Sequence, residues 1–147
     1  MVRQSTGEAL SGQQPRNLDL RSAKLRKVGF EAPDVRSINV DKIDWDNVEV
    51  YVQREIGDRL EDRFELILVL YVNANGEDGM VFRAIVEEVG LFKVTGYPEE
   101  EIGNLLRTKG AEMLYPYARE FVLSMIGRAG IPQFSLKPMT FELPDGP

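Results

Sequence analysis

Apolar and polar residues alternate along much of the stretch from Leu18 to Val94, and beyond Pro98 the spacing lengthens to that of a helix. The first apolar series, Leu18, Leu20, Ala23, Leu25, Val28 and Phe30, keeps only a loose period and predicts a bulged strand ending at Ala32-Pro33. From Asp34 to Asn47 isolated apolar residues, among them Trp45, stand in charged surroundings without a period, as in a long connecting loop. Val48, Val50 and Val52 then alternate with Glu49, Tyr51 and Gln53, which predicts a second strand with one apolar face, followed by a charged turn at Gly57-Asp58-Arg59. In the third stretch, Phe64, Leu66, Leu68, Leu70 and Val72 alternate with a set that itself includes Ile67, Val69 and Tyr71. A strand apolar on both faces belongs in the middle of a sheet. Asn75-Gly76 predicts a hairpin turn into a fourth strand from about Met80 to Val94, because both residue types tolerate positive φ.

Pro98 followed by Glu99, Glu100 and Glu101 marks a helix start, with a pre-set φ and negative charge at the positive end of the dipole. Between Ala111 and Arg128 the positions Met113, Leu114, Tyr117, Ala118, Phe121, Val122, Met125 and Ile126 cover most of the circumference, more than one sheet face can bury. Pro116 either kinks this helix or opens a second one. Gly127, Gly130 and Pro132 end it, and Phe134, Leu136, Met139 and Phe141 follow as an irregular apolar run. The predicted fold is α+β: an antiparallel, four-stranded sheet with a long C-terminal helix. The polar stretch 1–17 reads as a disordered tail, 18–143 as one domain and 144–147 as a short tail.

Composition narrows the chemistry. The 147 residues carry a net charge of −6, which disfavours a nucleic-acid footprint. Neither cysteine nor histidine is present, so disulfides, Ser-His and Cys-His nucleophiles and the usual zinc ligands are excluded. No apolar run suggests a signal peptide or a membrane span, and the expected location is the cytoplasm. Carboxylate pairs at Glu87-Glu88 and Glu61-Asp62 are the remaining candidates for an enzyme. The first pair splits across a strand, and the second sits by a charged turn where solvated charge is the simpler reading. No enzyme activity and no cofactor are expected.

Gly29-Phe30-Glu31-Ala32-Pro33 followed by Asp44-Trp45 is one distinctive stretch, and Leu114-Tyr115-Pro116-Tyr117-Ala118-Arg119-Glu120 running into Ser124-Met125, Arg128 and Pro132-Gln133 is another. In both, the chain resembles the SecB family of protein-export chaperones. Gly90-Leu91-Phe92 and Gly96 also match, so the resemblance runs in order from about Leu18 to Phe141. It implies a homotetramer, a dimer of dimers in which two protomers extend one sheet and the dimers pack helix on helix. It also implies ATP-independent holding of unfolded polypeptide, preproteins or an antitoxin, in apolar grooves. By matching positions the client-binding candidates are Trp45, Val48, Val50, Val52, Tyr117 and Phe121. Each also fits an ordinary core role, least so Trp45, a large apolar group in a polar loop.

The resemblance departs at the surface where export members meet the SecA motor. Glu31 matches an acidic position there, but Lys27, Arg83 and Ile85 stand where the family has an acid, a leucine and an acid. The sequence also reaches Pro147 without the family's last helix and acidic tail. A lysine where a basic segment must dock repels it, which counts against SecA as a partner. The function expected is that of an ATP-independent holdase in protein export or transport; the alternative is a dedicated SecB-like chaperone of a toxin-antitoxin system and, in a different class, a purely structural oligomer.

Overall fold

The computed structural model describes residues 14–131 and 136–142. Four strands, β1 (Asn17–Glu31), β2 (Glu49–Leu60), β3 (Arg63–Gly76) and β4 (Gly79–Thr95), form one antiparallel sheet in the order β1-β4-β3-β2. β3 and β4 are central, as the two apolar faces of β3 require. Every other residue of each, Phe64 to Ala74 and Phe82 to Val94, is buried beneath a helix.

The loose period of β1 has a mechanical cause. Its register against β4 slips between Leu20 and Ser22 and again between Leu25 and Lys27. Each slip absorbs one residue, so Leu18, Leu20, Ala23, Leu25, Val28 and Phe30 all oppose β4 residues on the helix-bearing face. Two expected turns move. The charged Gly57-Asp58-Arg59 stretch stays within β2 as a bulge, because the Glu65 carboxylate accepts from Asp58 N at 3.1 Å, and the chain reverses at Glu61-Asp62 with Glu61 at φ 58°. Asn75-Gly76 remains in β3: Gly76 pairs with Gly79 at φ 111°, and Glu77-Asp78 make the turn.

The connecting segment is tied to the end of that hairpin by buried Ile43, which bridges Gly76, and by Asp44 N donating to Asn75 O at 2.9 Å. Of the expected N-terminal tail, 14–16 are described, with Arg16 over the Tyr97 ring, and Asn17 already opens β1; residues 1–13 lie outside the described residues, as do 132–135 and 143–147.

The helix is continuous from Glu99 to Arg128, about 45 Å at 1.5 Å per residue. Its first part, α1 (Glu99–Leu105), passes through a single π turn, Leu106–Gly110, into α2 (Ala111–Arg128). Pro116 is carried inside α2, so the helix is not split there. It ends at Gly130, φ 83°, where Ile131 N donates back to Ile126 O. No helix among the described residues is long and apolar enough to cross a membrane.

Glu88 is an exception within the core. It lies on the helix-bearing face of β4 between Leu25 and Leu68 and is only 5% exposed. Burial pushes its carboxyl above the ordinary 4.5. A raised folded-state value means that the fold holds the proton more tightly than the unfolded chain does. Stability is therefore greatest below the ordinary glutamate range and falls as pH rises through the raised value. Glu88→Gln should raise the melting temperature at neutral pH, and the gain should vanish below about pH 4; equal gains at both pH values would show that charge burial is not the cause.

Candidate functional site

β2 is an edge strand, with β3 on one side and, among the described residues, no strand on the other. Its helix-facing row is Val50, Val52, Arg54 and Ile56, set against Val72, Leu70, Leu68 and Leu66 of β3. The three β3 leucines and Val72 are fully buried, whereas Val48, Val50, Val52 and Ile56 are only half-buried. Trp45 leads into this row from a 3₁₀ turn, Trp45–Asn47, and stays 37% exposed. Trp45, Val48, Val50 and Val52 thus follow one another along one sheet edge.

Tyr117 and Phe121 do not join them. At about 100° per helical residue they lie roughly 200° and 240° around α2 from Tyr115. Tyr115 is buried and faces residues 136–142: its hydroxyl donates to Lys137 O at 3.1 Å, and its ring meets Phe141 edge-on at 6.0 Å. That segment in turn reaches β2, where the Arg54 guanidinium sits 5.0 Å above the Phe141 ring. Tyr115 therefore marks the β2 flank of the helix, and Tyr117 and Phe121 point away from it. With Met113 they form an outward stripe at helical spacing, 50%, 37% and 37% exposed. Leu25 and Val28 on the helix-bearing face of β1 are likewise about two-fifths exposed. On the helix-bearing side, apolar surface among the described residues thus lies along β2 and Trp45 and on the outer side of α2.

Arg54 is the residue that sequence reasoning missed. Its signal was a charge at an inward position of an otherwise apolar alternation. Arg54 Nη1 donates to Arg107 O in the π turn at 2.7 Å and to Glu142 O at 3.4 Å. Phe141, read from sequence as part of an irregular run, is its aromatic partner.

The opposite sheet face is open to solvent on half-buried Ile67, Tyr71, Ile85, Val89 and Leu91. Gly29, Tyr71 and Ile85 floor a shallow cavity of about 330 Å³ beside the Glu31–Arg83 ion pair. Glu31 is thus engaged within the protein, and Glu87 is held by Arg26 at 2.7 Å and Lys27 at 3.8 Å. Glu88 lies on the other face, so the Glu87-Glu88 pair is divided by the pleat. Asp62, in the turn with Glu61, stands 4.0 Å from Lys93.

The family model described as preprotein translocase subunit SecB matches residues 11–143. The protein-export protein SecB of Methylococcus capsulatus is 30% identical over 132 residues, covering 88% of this chain and 84% of that protein. SecB of Halorhodospira halophila is 30% identical over 142 residues, covering 94% and 79%. Among solved structures, a SecB-like chaperone of Mycobacterium tuberculosis in complex with a peptide from an antitoxin superposes with a TM-score of 0.64 at 20% identity. The superposition covers 86% of this chain and 90% of that one.

Proposed function

The chain belongs to the SecB family, and from that premise we propose that it is a cytoplasmic, ATP-independent holdase that takes unfolded polypeptide along β2 and Trp45. The observation that supports this reading most directly is the half-buried valine row beside an open strand edge. Apolar burial is non-directional and contributes about 25 cal/mol per Å², so such a row accepts many sequences. The free main-chain groups of an edge strand can add hydrogen bonds that depend on no particular side chain. Chemistry on a client is not part of this role.

The second apolar surface fits assembly. Met113, Tyr117 and Phe121 lie on the side of α2 away from its own sheet, where a second helix layer would cover them. With β2 assigned to clients, β1 is the edge left for extending the sheet into a partner protomer, which gives the homotetramer its two contacts. Tyr117 and Phe121 accordingly move from the client set to the interface between copies.

The solvent-facing side of the sheet favours a dedicated chaperone, such as one serving an antitoxin, over delivery to SecA. Glu31 is neutralised by Arg83, and Lys24 and Lys27 stand exposed on β1. A titration with unfolded polypeptide, run beside one with SecA, tests both points. Binding of the polypeptide should weaken by about tenfold or more in Val50→Asp or Trp45→Asp, as expected when a buried apolar contact is lost, with assembly mass unchanged. SecA should not bind. Collapse of the assembly in these variants would make Val50 and Trp45 core residues, and tight SecA binding would restore the export role.

A further inference from the structure

The contacts of Arg54 carry an inference that rests on the proposed client groove and concerns what fills it at rest. We propose that residues 136–142 are an internal occupant of that groove, held on Arg54, and that a client segment bearing an aromatic residue takes their place on the same guanidinium. Arg54 follows Val52 directly in the helix-facing row, so whatever covers Arg54 lies across one end of the groove. Residues 136–142 form neither helix nor strand. Leu136 is buried, Met139 and Phe141 are half-buried, and the intervening side chains are exposed.

The groups that hold the segment are of a kind any polypeptide offers. Three are main-chain atoms: Lys137 O accepts from the Tyr115 hydroxyl, Glu142 O accepts from Arg54, and Phe141 N donates to Glu112 Oε2 at 3.2 Å. The side chain that meets the guanidinium is one aromatic ring, that of Phe141. Arg54 itself stays in place without the segment, because its shortest bond is to Arg107 O of the π turn. A guanidinium fixed beside the valines of the row can donate to a carbonyl and stack on an aromatic ring of a client as it does with Glu142 and Phe141.

If the segment competes with clients, the observed client affinity is lowered by the fraction of molecules in which the groove is filled. Removing the Phe141 ring should therefore tighten binding. In fluorescence titrations with reduced, carboxymethylated α-lactalbumin, Phe141→Ala should bind roughly 2- to 30-fold more tightly than the unaltered protein, the range of one cation–π contact. In the unaltered protein, saturating α-lactalbumin should speed hydrogen exchange at the Phe141 amide, whose acceptor Glu112 it would leave. Weaker or unchanged binding by Phe141→Ala, or a Phe141 amide equally or better protected with client bound, would make the segment a fixed wall and overturn the proposal. Failure of both proteins to bind would instead sink the holdase reading on which it rests.

Discussion

Replacing Tyr117 and Phe121 together by aspartate is expected to split the proposed homotetramer along its helix layer while leaving each sheet, and the β2 row, intact. Both side chains project from α2 on the flank turned away from residues 136–142 and β2, and neither contributes to the buried core. A carboxylate forced into a helix–helix contact loses hydration without gaining a partner, at a cost of several kcal/mol per charge. Two such charges should weaken association by at least about a thousandfold. Light scattering should then report half the mass of the unaltered assembly, with far-UV circular dichroism unchanged. An unchanged mass with loss of client binding would return Tyr117 and Phe121 to the client surface, where the resemblance alone had put them.

The outward position of Tyr117 and Phe121 shows what a sequence can and cannot carry. The excess of apolar residues on α2 was legible, because too many of Met113, Leu114, Tyr117, Ala118, Phe121, Val122 and Ile126 compete for one buried face. Which of them stay outside was not legible. It depends on where Tyr115 points, and Tyr115 is fixed by Lys137 and Phe141, distant in sequence. Arg54 was hidden for a related reason. A charged residue on an inward row means little until its acceptors, Arg107 O and Glu142 O, are brought alongside by the helix and the segment after it.

The sheet was easier to read because its determinants are local. The alternation in β2, β3 and β4 follows from the pleat, and the two three-residue steps in β1, Leu20 to Ala23 and Leu25 to Val28, coincide with its two register slips. The turns were read less well, since pairing across the hairpin decides where a strand stops. Gly57 keeps to β2 because Glu65 on the neighbouring strand satisfies the bulge, and Asn75-Gly76 keeps to β3 because the connecting segment pairs with Gly76 from outside. A dipeptide with strong turn preference yields when long-range hydrogen bonds claim its backbone.

The contact that seats the helix on the sheet gives the largest expected effect on stability, and Gly90 is its centre. Gly90 is buried on the helix-bearing face of β4, and a Cβ there would stand 2.8 Å from the Phe92 ring and 3.1 Å from both Leu114 methyl carbons. Phe92 and Leu114 are both fully buried and have little room to withdraw. Gly90→Ala should therefore destabilise by about 1–3 kcal/mol through overpacking, even though alanine is otherwise the better strand residue. Leu114→Ala, which opens a cavity at the same spot, should cost about 2–5 kcal/mol. Combined, the two should cost less than their sum, because the added methyl group enters space vacated by Leu114. Denaturant melts of the four proteins measure that coupling. Additive costs would mean that the sheet relaxes around Gly90 without involving the helix, and that the helix is seated by the broader row of Ala118, Val122 and Ile126 rather than by this close approach.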